Sequence, residues 1–432
     1  MAKPKLALIP ATQGSKLYSV LPADGVGDFT FSRGSSATRI NAQGLIETVA
    51  SGVSRLNYPL IDGKVVGCPS HILEPQRLQK IQYSEAFDNA YWTKSGASVV
   101  SGFVSPSGDT SAFKLVEDSI SSSKSIKTSN FSVVNGQEYT ISIFAKPNGR
   151  FLQITPSVAF VQSYINYDLN NGTMDLSGSG SASGTITLLS SGYYRCTYTA
   201  AANASSTIAS IFSCLVNSIS ATRKPSYQGD GTSGIYIFGA QTEQGSYPTS
   251  YIPNYGTSAG ITRSAETANG AGDASTFNDS EGVLMMEIST LQSSGEDIYI
   301  SVNNGVSNRI TLRNTSSLNN VVGQCVVGGV NQASMDYTLE DRTANNKVSI
   351  RYKLNDFSLW VNGFKVVTDN IGSVPTSLND LSYTNGSGVA NWYGNTKQIQ
   401  YFDSALNDSD LETLTSWVSF SDMANGQLYT IE

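Results

Sequence analysis

Short runs in which apolar and polar residues alternate recur through the middle of the chain. From Tyr139 to Lys146, every second residue from Tyr139 to Ala145 is apolar. This period of two residues predicts a β-strand with one buried face. Similar runs occupy residues 164–168 and 194–198, and Asn170, Asn171 and Gly172 form a turn signal after the first of them. Strands at this spacing, separated by Gly and Asn turns, predict a β-sandwich or jelly roll between residues 81 and 256.

A second series of strand patterns fills the C-terminal part of the chain, at residues 282–288, 347–352, 357–366 and 398–403. Asn362 and Gly363 divide the third run, and this dipeptide predicts a two-residue β-hairpin because both positions of a type I′ turn need a positive φ. We therefore expect a second sandwich over residues 257–432. It begins with a connector at 257–280 that holds one short strand around residues 261–263.

One short helix is predicted close to the C-terminus. Asn407 and Asp410 have the spacing of a helix cap, and Leu411 with Leu414 would lie on the apolar side of the first turns.

Residues 1–80 show a different pattern. Thirteen Gly and Pro residues between Pro10 and Pro75 interrupt this stretch, which leaves room only for short strands and turns. Such a segment rarely forms a core of its own, so we expect it to lie against another chain or a neighbouring domain. The predicted fold class is therefore all-β, with an irregular N-terminal segment at 1–80 and two β-sandwich or jelly-roll domains at 81–256 and 257–432.

The composition agrees with this fold class. Charged residues make up only 14% of the 432 residues, whereas Gly alone contributes 39. Long amphipathic helices need more charged residues than this. The net charge of −7 gives no basic cluster for a phosphate backbone, so nucleic acid is not an expected partner. No run approaches the roughly 20 apolar residues of a membrane span, and Pro10 cuts short the apolar start, so neither membrane insertion nor a signal peptide is expected.

The residues that often carry catalysis are sparse and scattered. His71 is the single histidine, and we interpret it as an imidazole held in a turn rather than as part of a nucleophile pair. Some hydrolases with this kind of sandwich carry their catalytic carboxylates as Glu-x-Asp-x-x-Glu on one strand, and this chain lacks that spacing. Some lyases with a similar sandwich use a Gln-Ile-His strand, but the run from Gln398 to Gln400 has no histidine. No catalytic residue is therefore assigned, although a pair of carboxylates from distant strands stays open, drawn from Glu287, Asp336, Glu340 and Asp403.

No cofactor or metal site is assigned either. Calcium stays a weaker alternative, with ligands from Asp168, Asn170 and either Asp175 or Asp230 in loops, because hard cations take such oxygen ligands. We interpret the cysteines, Cys68, Cys196, Cys214 and Cys325, as free and mostly buried thiols, because no close pair or high density supports a metal cage or a disulfide scaffold. Pairing of Cys196 with Cys214 stays open.

Aromatic and amide side chains are the better-supported binding candidates. Trp360 lies on the polar face of its strand beside Asn362, and Trp392 with Tyr393 forms a second candidate platform. Sugars stack on aromatic faces and accept hydrogen bonds from amides, which these residues provide. Packing of the two tryptophans against a neighbouring domain or subunit is the competing interpretation, whereas Trp92 is predicted to be core.

Several motifs resemble one family. The stretches 28–39 and 67–77 are similar to the N-terminal module of tailed-bacteriophage virion proteins, and the stretches 83–92, 229–241 and 245–253 are similar to the ends of their carbohydrate-binding-module-like jelly rolls. The hairpin at 357–366 with residues 398–403 resembles a concanavalin A-like or laminin G-like sandwich. The resemblance implies virion attachment through residues 1–80, for which the candidates are Phe31, Arg33, Arg39 and Arg77.

The resemblance implies a structural protein of a tailed phage, made in the host bacterial cytoplasm and displayed on the virion surface, on the head or the tail. Its expected partners are other virion proteins, further copies of itself in a homo-oligomer such as a trimer, and a host-surface or environmental polysaccharide. Two alternatives stay open, a virion-associated polysaccharide depolymerase and a purely architectural cement protein.

Overall fold

The computed structural model of the protein describes residues 2–14, 16–160, 163–178, 181–419 and 421–423. The fold is all-β, as predicted, with one short helix in the described part of the chain. No helix in these ranges has the length and apolar character needed to cross a membrane.

The strands of the N-terminal segment are β1 (Leu6–Gln13), β2 (Lys16–Leu21), β3 (Phe29–Ser32), β4 (Ala37–Ile40), β5 (Ile46–Val49), β6 (Leu56–Asn57), β7 (Leu60–Ile61), β8 (Lys64–Val65), β9 (Ser70–Leu73) and β10 (Arg77–Gln79). The strands of the middle region are β11 (Thr93–Ser95), β12 (Ala97–Phe103), β13 (Ala112–Glu117), β14 (Ser121–Ser122), β15 (Lys124–Lys127), β16 (Phe131–Val133), β17 (Glu138–Asn148), β18 (Phe151–Pro156), β19 (Ser163–Asp168), β20 (Thr173–Gly178), β21 (Ala182–Leu188), β22 (Tyr194–Ala201), β23 (Ser206–Ala209), β24 (Ile211–Val216), β25 (Tyr227–Gln228) and β26 (Gly234–Gln244). The C-terminal elements are β27 (Ile261–Arg263), β28 (Thr267–Asn269), β29 (Glu281–Thr290), β30 (Ile298–Asn303), β31 (Arg309–Asn314), β32 (Asn320–Val327), β33 (Val330–Thr338), β34 (Asn346–Lys353), β35 (Phe357–Val361), β36 (Phe364–Asp369), β37 (Asp380–Ser382), β38 (Gly394–Phe402) and α1 (Asp408–Thr415).

The middle region forms a sandwich of two antiparallel sheets. One sheet has the order β11-β15-β24-β18-β19-β20 and the other β12-β13-β26-β17-β22-β21. Alternate residues of β17, from Tyr139 to Ala145, point into the core between them, as predicted. Cys196 and Cys214 lie in different sheets, on β22 and β24, and both are free thiols. The two cysteines therefore do not pair.

The C-terminal sandwich includes the start of the chain. Its large sheet runs β28-β3-β2-β1-β38-β29-β34-β35-β36, and the second sheet runs β33-β32-β31-β30-β37. β1 pairs with β38 through Leu6 and Tyr401, and β9 pairs with the same strand through His71 and Thr396. The N-terminal segment therefore completes the sheet of the C-terminal domain and shares its core.

The same segment also covers the outer face of the middle sandwich. Ile46 of β5 packs with Phe144, Tyr193 and Tyr251 in a separate apolar cluster. The polar face of β17 is consequently buried as well, with Thr140 and Ser142 both inaccessible to solvent. The alternation predicted a strand with one buried face, but the covering segment buries both faces.

The predicted hairpin and helix are present. Val361 pairs with Phe364 across a two-residue turn, in which Asn362 and Gly363 both have positive φ. Asn407 caps α1, because its Oδ1 accepts a hydrogen bond from the Asp410 backbone N–H at 2.9 Å. The helix packs on the outer face of the large sheet in a cluster of buried residues that includes Val283, Met285, Trp360, Phe402, Leu411 and Leu414.

Candidate functional site

A groove of about 650 Å³ opens beside the middle sandwich. We call it the Tyr groove and define it by Gln82, Tyr83, Asn89, Tyr91, Asn130 and Ser132. Its walls come from the segment between β10 and β11, from the β16–β23 pair, and from the connector at residues 258–259. The groove therefore forms where the opening and closing segments of the sandwich meet.

Two tyrosine rings are held in place on one wall. Tyr83 and Tyr91 have ring centroids 6.0 Å apart, and Tyr91 packs edge-on against Trp92 at 5.6 Å. Trp92 is buried, as predicted, and its Nε1–H donates to the Tyr83 carbonyl at 2.8 Å. Ser129 Oγ donates to the Tyr91 carbonyl at 2.8 Å, which ties this wall to the neighbouring strand. The rings are thus fixed by the core behind them while each stays partly exposed.

Most polar groups of the groove are neutral, and several have no hydrogen-bond partner among the described residues. Asn130 and Ser132 are exposed, and within the described residues their side chains form no hydrogen bond. Asn89 uses its Oδ1 to accept from the Tyr91 backbone N–H at 2.9 Å, which leaves its amide N–H groups free. Lys80 is the charged lining residue, and burial lowers the pKa of its ammonium group. This arrangement offers hydrogen bonds and aromatic faces to a neutral polar ligand.

A buried ionic network joins the N-terminal segment to the connector before β28. Arg33 Nη1 donates to Glu266 Oε1 at 2.7 Å, and Arg55 Nε donates to the same oxygen at 2.9 Å. Arg55 also reaches Glu74 at 2.9 Å, and Arg263 lies 2.7 Å from the same carboxylate. These five residues, which we call the Arg–Glu network, are all inaccessible to solvent.

A residue outside the network also binds Glu74. Ser250 donates to Glu74 from its backbone N–H at 2.7 Å and from its hydroxyl at 2.5 Å. Burial alone would raise the pKa of Glu74, but Arg263 and Arg55 together with the Ser250 bonds lower it to about 2. A carboxylate held ionised in this way stabilises the join between segments far apart in the sequence.

The network explains the N-terminal motif and corrects part of the attachment assignment. Phe31 and Arg33 are buried, Phe31 in the core of the C-terminal sandwich and Arg33 in the Arg–Glu network, so neither side chain is available to a separate virion protein. Arg77 is largely buried over the Tyr247 ring, with Nε 3.7 Å from Glu243. Arg39 is the more accessible candidate and pairs with Glu47 at 2.7 Å.

The predicted tryptophan platforms are wrong. Trp360 is 4% exposed and Trp392 is 0% exposed, so neither ring presents a face to a ligand. α1 covers Trp360, and the core of the C-terminal sandwich surrounds Trp392. Asn362 is committed to the hairpin, where its Nδ2 donates to Asn346 at 2.9 Å and its Oδ1 accepts from the Lys347 backbone N–H at 2.9 Å. Tyr393 is half-buried against the same core as Trp392, so the structure does not bring these four candidates into one site.

Two of the remaining polar candidates, Glu287 and Asp168, have structural partners. Glu287 accepts hydrogen bonds from Asn345 and Gln398, each at 2.7 Å. Asp168 closes the β19–β20 turn by accepting from the Asn170 and Asn171 backbone N–H groups. Over the described ranges, no group of three or more His, Cys, Asp or Glu residues has an arrangement suited to a metal ion.

The groove residues were not predicted, for a physical reason. Alternation along a strand indicates which aromatic residues are exposed, but Tyr83 lies in an isolated β-bridge with Tyr255 and Tyr91 lies in a turn, both before β11. The sequence signal that could have indicated this site is the concentration of Tyr and Asn residues around Trp92 in residues 83–92. The opposite wall, formed by residues 130–132, lies close to the two tyrosines only because of how the strands pair in the folded sandwich.

Comparisons with known proteins give distant likenesses. No family model matches the chain, and no curated protein matches it. Among solved structures, the CBM40 of the Ruminococcus gnavus IT-sialidase aligns over 34% of this chain and 92% of its own, at 17% identity and a TM-score of 0.29. The leech intramolecular trans-sialidase aligns over 33% of this chain and 24% of its own, at 16% identity and a TM-score of 0.27. Domains LG4-5 of the mouse laminin α1 chain align over 73% of this chain and 94% of their own, at 9% identity and a TM-score of 0.22. The neighbours are thus a carbohydrate-binding module and laminin G domains, at likenesses too distant to assign a ligand to this chain.

Proposed function

We propose that this protein is a non-enzymatic structural protein on the surface of a tailed-phage particle, and that it adheres to host-surface or environmental glycans through the Tyr groove. The observation that supports glycan binding is the Tyr groove. It combines two fixed tyrosine rings with free amide and hydroxyl groups. The resemblance of residues 28–39 and 67–77 to phage virion proteins supports the proposed location on a phage particle.

The chemistry of the groove favours neutral sugars. A sugar ring presents apolar C–H faces and a rim of hydroxyl groups, which match tyrosine rings and neutral amides respectively. Asn130 and Ser132 offer donors and acceptors that no residue of the described chain uses, and Asn89 offers its amide donors. The volume of about 650 Å³ lies within the range of small-ligand sites and accommodates a short oligosaccharide.

The test is a panel of neutral and acidic oligosaccharides and host-surface polysaccharides incubated with the purified protein, in which both retention and release of reducing or unsaturated ends are measured. We expect retention of a neutral glycan without release of ends. Release of ends would assign a depolymerase instead, and the absence of both would leave the architectural role.

Two variants locate the binding. Tyr83→Ala removes a stacking face. Asn130→Ala removes an exposed amide that has no hydrogen-bond partner among the described residues, so this second change disturbs no buried contact. We expect each to weaken retention by about 3- to 10-fold. Phe364→Ala is the matched control, because Phe364 is 72% exposed on β36 and does not line the groove. Equal retention by all three variants and the unmodified protein would contradict the groove assignment.

The proposed location on the surface of a phage particle has a separate test. Immunogold electron microscopy of intact phage particles, with an antibody against residues 81–256, is expected to label the particle surface. Labelling confined to the host cytoplasm would refute it.

A further inference from the structure

A second cavity lies between the N-terminal segment and the middle sandwich. It has a volume of about 290 Å³, and we call it the junction cavity. Its lining includes Ile40, Leu60, Phe144, Thr187, Arg195 and Thr197. Thr187 is exposed, so the cavity reaches the surface. None of these residues lines the Tyr groove, and the two sites are therefore separate.

Arg39, Glu74 and Arg195 are the charged residues that line this cavity; Arg39 pairs with Glu47, and Glu74 pairs with Arg55 and Arg263. Arg195 is the charged lining residue that forms no ion pair in the described chain. It lies on β22 opposite Phe144 of β17, with its guanidinium 5.5 Å from the centre of the Phe144 ring. Nη2 donates to Ser142 Oγ at 3.0 Å. Nε is buried and has no hydrogen-bond partner, and no carboxylate of the described residues forms an ion pair with this guanidinium. A buried donor without a partner is costly, which points to a ligand that supplies one.

The surroundings of Arg195 carry an excess of positive charge. Arg195 interacts electrostatically with Glu243, Glu74 and Arg263, which link it to the Arg–Glu network. Together, five guanidinium groups meet only three carboxylates in this region, which leaves two positive charges in excess: Arg33, Arg55, Arg77, Arg195 and Arg263 against Glu74, Glu243 and Glu266. Burial lowers the pKa of Arg195, although the nearby carboxylates of Glu243 and Glu74 raise it. An anion in the cavity would offset part of this excess.

The rest of the lining fits a small sugar ring. Thr187 has a hydroxyl that forms no hydrogen bond in the described chain, and Thr185 and Thr197 share one bond of 2.8 Å between their hydroxyls. Ile40, Leu60 and Phe144 supply apolar surface opposite these groups. A cavity of about 290 Å³ is at the small end of ligand sites, which suits one monosaccharide rather than a chain.

We propose that the junction cavity binds a carboxylated monosaccharide, a uronic acid, with its carboxylate on the Arg195 guanidinium. A planar guanidinium can donate two parallel hydrogen bonds to the two oxygens of one carboxylate. In Arg195, Nε and a neighbouring Nη would be the two donors. The hydroxyls of the sugar then face the threonines of β21 and β22. This site adds an acidic-sugar specificity to the neutral-glycan groove and does not depend on it.

Isothermal titration calorimetry with the full chain tests the proposal, with glucuronate and galacturonate as probes and glucose and galactose as matched neutral sugars. We expect the unmodified protein to bind at least one uronate and to bind neither neutral sugar in this cavity. Arg195→Gln is expected to weaken uronate binding by about 10- to 100-fold, because it removes the charged donor. Tyr83→Ala is the control and is expected to leave uronate binding unchanged while it weakens retention of neutral glycans.

Several results would overturn the proposal. They are the absence of uronate binding by the unmodified protein, equal binding of uronate and neutral sugar, and uronate affinity that is unchanged in Arg195→Gln. If Arg195→Gln does not fold, Arg195→Lys replaces it in the test. The lysine keeps the positive charge but loses the paired donors of the guanidinium, so this variant is expected to bind uronate more weakly than the unmodified protein. Equal affinity of the Lys variant would then refute the role of the guanidinium. A protein that binds uronates but not neutral glycans would support this site and contradict the Tyr groove, so the two proposals fail separately.

Discussion

The single histidine makes the stability of the protein dependent on pH in a way that can be calculated. His71 lies on β9 between β6 and β38 and is 1% exposed. Burial lowers the pKa of its imidazole from 6.5 to about 4. The native state therefore holds His71 neutral, whereas the unfolded chain takes up a proton below about pH 6.5.

The direction and size of the effect follow from this difference. The contribution of neutral His71 is fully present well above pH 6.5 and is lost as the pH falls towards about 4, because protonation stabilises the unfolded chain first. Over the whole window the loss is about 3 kcal/mol, and about 2 kcal/mol of it has occurred at about pH 5. That loss is a large fraction of the stability of an ordinary domain.

Urea unfolding followed by tryptophan fluorescence measures this loss, between about pH 7.5 and about pH 5, where carboxylates of ordinary pKa remain ionised. His71→Gln is the matched variant, because its side chain carries no charge at any of these pH values. We expect the free energy of unfolding of the unmodified protein to fall by about 2 kcal/mol relative to that of the variant across this range. Parallel curves for the two proteins would refute the reasoning, since they would mean that folding does not change the proton affinity of His71.

Three further predictions concern a buried ion pair, a buried leucine and a helix cap. Glu266→Gln is expected to lower the free energy of unfolding by about 3 to 5 kcal/mol, because Arg33 and Arg55 lose a buried partner. Urea titration measures this change, and Glu340→Gln on the surface is the control, which should leave the free energy of unfolding nearly unchanged. Leu411→Ala is expected to cost about 2 to 5 kcal/mol and to expose Trp360 to water, which a red shift of its fluorescence emission would report. Asn407→Ala removes the cap of α1 and is expected to cost about 1 kcal/mol in thermal unfolding; no change would show that the cap does not stabilise the helix.

Local features of the fold were predictable because short-range physics determines them. The strand at 139–146, the Asn362–Gly363 hairpin and the helix capped by Asn407 each depend on neighbouring residues, and each is present where the sequence placed it. Phe357, Leu359 and Val361 of β35 pack in the core of the C-terminal sandwich, on the face opposite Trp360.

The candidate site was predicted less well because burial of the second face of a sheet is not a local property. The alternation around Trp360 correctly separated its two faces, but it carried no information on what covers the outer one. α1 covers that face, and so it removes Trp360 from the surface. The Tyr groove shows the converse, since its two walls are far apart in the sequence and meet only after the sandwich has formed.

The sequence by itself determined that the chain is all-β, where its hairpin and helix lie, and that its surface is poor in charge. Alternation, turn chemistry and composition act over a few residues, so they can be read directly from the chain. Only the tertiary structure decided that Arg33 meets Glu266, 233 residues away, and that the N-terminal segment completes the C-terminal sheet. Contacts at such separations depend on the order of strands in the sheets, and one sequence contains no local signal for that order. The same order places Arg195 in the cavity beside the N-terminal segment, where it forms no ion pair with any described residue.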